Sequence, residues 1–257
     1  MGPRLTYTVM ATSEAEDMIR AVSLDLWSTL ICDRDGDEAA RDHIRARRIS
    51  ELLSREHVHV SDEQLYSSLR SIDVLRRDIR EMRDWTLTTD RQIRFVLTQA
   101  GVYPSAQLVS ALLPRYDAAI LELMPVLVEP DAAQSLAALA QRYPLSITSN
   151  TGKTPGRVLK CVLEKLGILE PFTHFVFSDE VQALKPEAEI WQALAMANSA
   201  APGEIVHVGD SYTLDYRGAR DAGLHAVLFG GRWSVPTDVI SVDSLKQLPT
   251  TIQEMNT

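Results

Sequence analysis

Short apolar segments alternate with amphipathic ones from Val128 to Phe229, and this alternation constrains the fold more than any other feature of the sequence. We predict strands at 144–148, 174–178, 204–208 and 225–229, and helices at 131–142, 155–166, 186–197 and up to Ala222. Strands that are each followed by a helix lie side by side in a parallel sheet, with helices covering both faces. The sequence therefore predicts an α/β fold built on a doubly wound parallel sheet.

An earlier strand is predicted in the segment AVSLDLWSTLICD, residues 21–33. Val22, Leu24 and Leu26 alternate with smaller or polar residues and the apolar run then stops, which places Asp25 at the C-terminal edge of the sheet. Open α/β sheets bind ligands at that edge. An unpaired buried carboxylate is costly, so Asp25 either caps the next turn or belongs to a polar site.

The period of the apolar residues changes after Asp33. Spacings of three to four residues predict helices around 44–53 and 65–79 and two more at 89–100 and 105–123. No strand is predicted within 38–124, which is far longer than a strand-to-strand crossover requires. The predicted organisation is an N-terminal extension at 1–20, an α/β core at 21–33 and 125–257, and a helical domain at 34–124, inserted over the strand edge that carries Asp25.

Polar side chains also follow two of the later predicted strands. Ser149 and Asn150 end the strand at 144–148, where they form either a simple turn or part of a site that binds substrate. Lys185 precedes Pro186, a place where an isolated lysine is usually a surface residue. His207, inside the strand at 204–208, is interpreted as a packed strand residue.

The segment VGDSYTLDYRG provides the most specific chemical signal. Gly209 allows a tight turn, after which Asp210 and Asp215 share one loop that enters a helix. Two neighbouring carboxylates repel each other unless a cation lies near them, and hard oxygen ligands suit Mg²⁺. The alternative is that both residues favour the helix dipole.

Composition excludes several classes of function. A net charge of −9 argues against a nucleic-acid-binding protein, whose affinity depends on neutralising phosphates. No apolar run approaches the length of a membrane span, so no membrane partner is expected. The two cysteines, Cys32 and Cys161, are too few for a disulfide framework, which makes the cytoplasm the expected location.

Together these residues resemble the motifs of the haloacid dehalogenase superfamily of hydrolases. The resemblance runs from about residue 21 to residue 245. The matching positions are Asp25 and Thr29 for the first motif, Ser149 for the second, Lys185 for the third, and Asp210 with Asp215 for the fourth. It implies a Rossmann-like core in which the helical insertion is a C1-type cap.

The resemblance also implies a mechanism and a role for each residue. Asp25 would attack the substrate and form an aspartyl intermediate that water then hydrolyses. Lys185 and Ser149 would hold and neutralise the transferred group, and Thr29 would orient it. Mg²⁺ would be held by Asp25, Asp210 and the backbone carbonyl of Trp27, supported by Asp215, and the substrate would be a small phosphorylated metabolite.

Trp27 departs from the family pattern. Phosphatases of this superfamily normally carry a second Asp there, which acts as general acid and base, a contribution typically worth about 10²- to 10⁴-fold in rate. Three interpretations follow: a Mg²⁺-dependent phosphatase with another proton donor, a 2-haloacid dehalogenase, or a protein of this fold that binds a ligand and turns over poorly. Dehalogenation requires no metal, so the second interpretation leaves Asp210 and Asp215 unexplained.

Overall fold

A computed structural model describes residues 18–82, 87–230 and 236–257, without the side chains of 76–82. The strands are β1 (Ala21–Leu24), β2 (Ile31–Cys32), β3 (Val126–Leu127), β4 (Leu145–Ser149), β5 (Phe172–Phe177), β6 (Ile205–Gly209), β7 (His225–Phe229) and β8 (Ser241–Val242). Most of the predicted N-terminal extension lies outside the described residues.

Eleven α-helices are assigned in the described part of the chain. They are α1 (Asp37–Arg55), α2 (Asp62–Met82), α3 (Thr89–Gln99), α4 (Ala106–Asp117), α5 (Ala119–Glu122), α6 (Ala132–Ala140), α7 (Gly156–Lys165), α8 (Ser178–Val181), α9 (Ala188–Asn198), α10 (Gly218–Asp221) and α11 (Leu248–Met255). Within those described ranges, no helix is both long enough and apolar enough to cross a membrane.

Six parallel strands form one sheet in the order β5-β4-β1-β6-β7-β8, which confirms the predicted α/β fold. β1 is central and fully buried, and Leu24 is in register with Ile147 of β4 on one side and Val208 of β6 on the other. The C-terminal ends of these three strands therefore meet at one place.

The segment after β6 differs from the continuous helix that the sequence predicts. Residues Tyr212–Arg217 form a wide π-helical turn before α10 begins. The backbone N–H of Tyr216 donates to the carbonyl of Ser211, five residues earlier, while the Ser211 hydroxyl accepts from the N–H of Leu214. Such single wide turns occur often at functional sites.

Helices α1 to α5, which we call the helical insertion, lie between β2 and β3. These two strands pair antiparallel, with Ile31 opposite Leu127, and so form the base of the insertion. The insertion has a hydrophobic cluster of its own, drawn from residues between Ala46 and Tyr116, whereas the main cluster lies around the six-stranded sheet. Helices α1 to α4 therefore pack around a core of their own, while Ile120 of α5 belongs to the cluster around the sheet.

Candidate active site

The structure brings the strand-end residues together. Asp25 follows β1 and its backbone N–H donates to the carbonyl of Val208 at 2.8 Å, which aligns it with the end of β6. Ser149 is the last residue of β4, and Asp210 follows β6 directly. Since β4 and β6 flank β1, the three side chains lie along one edge of the sheet.

Lys185 reaches this edge from the loop before α9. Its Nζ donates to Asp25 Oδ1 at 2.7 Å and to Asp215 Oδ1 at 2.5 Å, with the side chain 2% exposed. Burial opposes its positive charge, but the two carboxylates outweigh burial and raise the pKa of Lys185 above its usual value. This lysine is therefore a buried cation inside the site and not a surface residue.

Asn150 contacts the backbone of Lys185 with both ends of its amide. Its Oδ1 accepts from the N–H of Lys185 at 2.7 Å, and its Nδ2 donates to the Lys185 carbonyl at 3.1 Å. Asn150 therefore fixes the loop that carries the lysine, whereas the sequence suggested that its amide would contact substrate.

Three carboxylates surround the end of this lysine. Oxygen atoms of Asp25, Asp210 and Asp215 all lie within 4.8 Å of one another. Burial, together with the neighbouring Asp25 and Asp215, raises the pKa of Asp210 to about 6. Burial also raises the pKa of Asp25, with Asp215 adding to the effect of burial and Lys185 opposing it. The single ammonium group does not balance three carboxylates, and a divalent cation fits this donor set.

Asp215 is held by more contacts than the other two carboxylates. Its Oδ2 accepts from the N–H of Ser211 at 2.9 Å, and its Oδ1 lies 3.1 Å from His207 Nε2. Burial alone would raise the pKa of Asp215, but Lys185 and His207 hold it well below its usual range. A Cβ added to Gly209 would lie 2.4 Å from Asp215 Cγ, so a residue without a side chain is required there.

His207 is buried, as the sequence predicts for a packed strand residue, and it also has a polar role that the sequence did not indicate. Burial lowers the pKa of His207, favouring a neutral ring, and since a carboxylate can only accept, Nε2 carries a proton. Its Nδ1 lies 3.0 Å from Ser23 Oγ, which is 2.9 Å from Thr148 Oγ1. A chain of hydrogen bonds therefore runs beneath the site, from His207 on β6 through Ser23 on β1 to Thr148 on β4.

Two predicted hydroxyl groups are buried at the site without an ordinary partner. Thr29 Oγ1 and Ser149 Oγ have no hydrogen bond within the described part of the chain. Buried polar groups are normally satisfied, so an unpaired one needs an explanation. Both can bind an external oxygen atom, although the Ser149 hydroxyl lies close enough to Asp25 to lower the pKa of that carboxyl.

Trp27 is half-buried and lines a cleft of about 220 Å³ beside the strand edge. Asn150, the residue after Ser149, lines the same cleft. Asp33 also lines it, but both of its oxygens accept hydrogen bonds from the Arg41 guanidinium. That pairing leaves Asp33 poorly placed to shuttle protons.

A second ionic cluster lies at this cleft, and the sequence patterns did not predict it. Lys153 Nζ, from the loop after β4, donates to Asp42 of α1 at 2.7 Å and to Asp73 of α2 at 3.0 Å. Arg45 pairs with Asp42 at 2.9 Å and also contacts Thr154 Oγ1 at 3.3 Å. The only sequence signal is the helical spacing of Arg41, Asp42 and Arg45, which alone is typical of a solvated helix face.

Comparison with known proteins decides the family. A model of the haloacid dehalogenase-like hydrolases matches residues 19–223 of this chain. The chain belongs to that family. The match spans β1 to the end of α10 and includes the residues gathered at the strand edge.

Two curated relatives extend this comparison. The glyceraldehyde 3-phosphate phosphatase of Methanopyrus kandleri is 29% identical over 215 residues, covering 82% of this chain and 83% of that protein. Haloacid dehalogenase-like hydrolase domain-containing protein 3 of Mus musculus is 35% identical over 89 residues, which is 35% of each chain.

Solved structures of this family share the fold. A 2-haloacid dehalogenase from Pseudomonas syringae pv. Tomato DC3000 superposes with a TM-score of 0.64 at 20% identity, covering 93% of this chain and all of that one. A phosphatase of the family from Thermococcus onnurineus gives a TM-score of 0.58 at 22% identity, covering 90% of this chain and 97% of that one. At these identities the likeness describes the fold alone.

Proposed function

We propose that this protein is a Mg²⁺-dependent phosphatase that acts on a small phosphorylated metabolite through an aspartyl-phosphate on Asp25. The observation that carries the proposal is the cluster of Asp25, Asp210 and Asp215, whose oxygens lie within 4.8 Å of one another around a single lysine. A surplus of carboxylates suits a metal and a phosphate ester, whereas a dehalogenase has no use for it. The phosphatase activity named for the Methanopyrus kandleri relative supports the same class.

The metal would be held by the carboxylates of Asp25 and Asp210 and the backbone carbonyl of Trp27. Asp215 supports this arrangement, because Lys185, His207 and the Ser211 N–H already occupy its oxygens. When bound, Mg²⁺ supplies positive charge that neutralises the phosphate. Its charge would also offset the burial and the neighbouring carboxylates that together raise the pKa of Asp210.

Asp25 performs the covalent step. One of its carboxylate oxygens forms a bond to phosphorus as the bond between phosphorus and the leaving oxygen breaks, and that oxygen departs with the electron pair and takes a proton from water. Water then attacks phosphorus, which releases inorganic phosphate and restores the Asp25 carboxylate. Lys185 and the unpartnered hydroxyls of Thr29 and Ser149 hold the oxygens of the transferred group.

Trp27 determines the relative rates of the two steps, formation and hydrolysis of the aspartyl-phosphate. An indole ring cannot shuttle a proton, so hydrolysis of the aspartyl-phosphate is slower than its formation with a good leaving group. In this proposal the helical insertion acts as a cap over the strand edge, and Asn150 positions Lys185 while its remaining N–H is available to the substrate. A cytoplasmic location stays a prediction from the sequence.

The test is multiple-turnover hydrolysis of p-nitrophenyl phosphate with and without Mg²⁺, on the parent protein beside Asp25→Asn and Trp27→Asp. We expect turnover that requires both Mg²⁺ and Asp25, and a gain of activity in Trp27→Asp. Metal-independent release of halide from a 2-haloacid would favour the dehalogenase. An inert parent protein and an inert Trp27→Asp variant would contradict the proposal and favour a ligand-binding protein.

A further inference from the structure

Three polar side chains lie side by side in the core, beneath the proposed catalytic residues. Thr148 of β4, Ser23 of β1 and His207 of β6 are each 0% exposed. His207 Nδ1 lies 3.0 Å from Ser23 Oγ, which lies 2.9 Å from Thr148 Oγ1. This chain of hydrogen bonds crosses three adjacent inner strands of a parallel sheet, where apolar side chains are the usual occupants.

Stability alone does not account for these buried polar groups. A buried hydrogen bond contributes little net free energy to folding, and apolar side chains of similar shape can replace a buried polar pair at almost no cost. The chain ends at a residue of the site, because His207 Nε2 lies 3.1 Å from Asp215 Oδ1. The same oxygen atom accepts from Lys185 Nζ at 2.5 Å. Two donors therefore meet at one carboxylate oxygen.

We propose that His207 is a positioning residue whose Nε2–H holds Asp215 Oδ1 where that oxygen receives Lys185. The lysine is thereby directed towards Asp25. The inference rests on the proposed function, because the place of Lys185 affects a rate only if Asp25 takes the phosphoryl group. It goes further by giving an effect on that rate to a completely buried residue, which acts through Asp215 and not by contact with the substrate.

The carboxylate of Asp215 is held at both of its oxygens. Oδ2 accepts from the backbone N–H of Ser211 at 2.9 Å, just before the wide π-helical turn, and Oδ1 faces His207. The carboxylate therefore cannot rotate without breaking one of these contacts. Lys185 Nζ donates to this fixed oxygen and to Asp25 Oδ1 at 2.7 Å, so its ammonium group is held beside the nucleophile before substrate binds.

The imidazole ring of His207 is itself fixed from two directions. The ring of Trp191 meets it edge-on, with the ring centroids 4.9 Å apart and the ring planes at 70°. Ser23, which is in register with His207 on the neighbouring strand, contacts Nδ1 on the opposite side of the ring from Nε2. These contacts direct Nε2 towards Asp215, so Ser23 should support the same function with a smaller effect.

Two substitutions of His207 separate its N–H group from its ring. His207→Phe keeps a ring beside Trp191 but has no donor, whereas His207→Gln places an amide N–H near the position of Nε2. We expect kcat for p-nitrophenyl phosphate to fall by about ten- to a hundredfold in His207→Phe and to stay within about fivefold of the parent in His207→Gln. KM should change by less than about threefold in both. Equal losses of kcat in the two variants, or a change in KM alone, would overturn the inference.

A matched pair of serines tests the chain without changing His207. Ser23 and Ser146 are in register on β1 and β4 and are both 0% exposed, but Ser146 Oγ donates to Asn198 Oδ1 at 2.8 Å, outside the chain. Ser23→Ala and Ser146→Ala should therefore lower the urea midpoint of unfolding by similar amounts. We expect kcat to fall by about two- to fivefold in Ser23→Ala only. Equal values of kcat in the two variants would contradict the proposed role of the chain.

Nuclear magnetic resonance of the protein with isotope-labelled histidine gives a readout that does not depend on activity. An imidazole N–H that donates to a buried carboxylate forms a strong hydrogen bond, so its proton signal lies far downfield and exchanges slowly with water. We expect one such signal from His207, identified by its loss in His207→Gln, and an upfield displacement of it in Asp215→Asn. The absence of a protected His207 signal in the parent would overturn the inference.

The two proposals fail in different ways. If turnover of p-nitrophenyl phosphate requires Mg²⁺ and Asp25 but His207→Phe turns over as fast as the parent, only the positioning inference is wrong. If the parent hydrolyses no phosphate ester, the proposed function is wrong and the positioning inference is wrong with it. A protected His207 signal would then describe a structural contact only.

Discussion

Lys185 and Lys153 have nearly the same immediate surroundings, yet the structure uses them differently. Each side chain is at most 3% exposed, and each Nζ lies within 3.0 Å of two carboxylates. The partners of Lys185 stand at strand ends beside two unpartnered hydroxyls, whereas those of Lys153 belong to α1 and α2 of the helical insertion. Position in the fold, and not the contact itself, distinguishes the proposed catalytic cluster around Lys185 from the ionic cluster around Lys153.

The charge balance around the two lysines also differs. Asp25, Asp210 and Asp215 outnumber Lys185, and the pKa of Asp210 is raised to about 6 as a result of burial and of its two neighbours. Around Lys153, Arg45 also pairs with Asp42 and Arg70 also pairs with Asp73, so each carboxylate has a second cation. The first cluster therefore suits a metal ion, whereas the carboxylates of the second are already paired with cations.

Removing Lys185 should have the largest effect. Lys185→Met takes a positive charge away from the transferred phosphoryl group, and kcat for p-nitrophenyl phosphate should fall by about 10²- to 10³-fold. Steady-state kinetics beside Lys153→Met provide the check. Equal losses of kcat in the two variants would contradict the assignment of Lys185, and not Lys153, to the transferred phosphoryl group.

Gly209→Ala tests how closely Asp215 must approach the backbone. The new Cβ would meet Asp215, and we expect a loss of about 1–3 kcal/mol in the free energy of unfolding together with a lower kcat. Gly156→Ala is the matched control, since its Cβ would meet the ring of Phe177 outside the site. A similar loss of stability with kcat retained is expected there, measured by urea denaturation and kinetics.

Lys153→Met tests how much the ionic cluster around Lys153 contributes to the free energy of unfolding. Asp42 keeps Arg45 as a partner but loses a buried donor, so the free energy of unfolding should fall by about 1–3 kcal/mol. Lys160→Met provides the comparison, because Lys160 is 36% exposed and lies 3.7 Å from Glu180. A change of about 0–1 kcal/mol is expected for that surface pair. Equal losses would mean that burial of Lys153 contributes nothing to stability.

The acidic surplus around Lys185 should be visible as a pH dependence. Because the folded protein raises the pKa of Asp210, the contribution of this group to stability declines as pH rises from 3.8 to about 6 in the absence of metal. Mg²⁺ requires the ionised carboxylate, so its affinity should weaken about tenfold per pH unit below that value. Calorimetric titration at several pH values provides the measurement, and a flat profile from pH 5 to pH 7.5 would contradict it.

The strand-edge cluster was accessible to sequence reasoning because parallel strands fix where their ends lie. Asp25, Ser149 and Asp210 each follow an apolar run, so their convergence follows from the topology. The Lys153 cluster depends on how helices of the insertion pack against a loop 111 residues away from Asp42. No local pattern encodes that packing.

Two contacts of the strand-edge cluster could not be predicted from the sequence and are visible only in the structure. The amide of Asn150 binds both the N–H and the carbonyl of Lys185, and only the path of the loop between α8 and α9 determines this. The contact between His207 and Asp215 joins residues eight positions apart through the wide turn after Ser211, where the sequence predicts an ordinary helix.

Rapid-quench mass spectrometry of the protein mixed with p-nitrophenyl phosphate and Mg²⁺ tests whether Asp25 forms an aspartyl-phosphate. We expect the mass of one phosphoryl group on the peptide that contains Asp25, formed in a burst of p-nitrophenolate and lost slowly because Trp27 cannot shuttle a proton. The Asp25→Asn variant should show neither adduct nor burst. Turnover that proceeds without an adduct, and that persists in Asp25→Asn, would contradict the account.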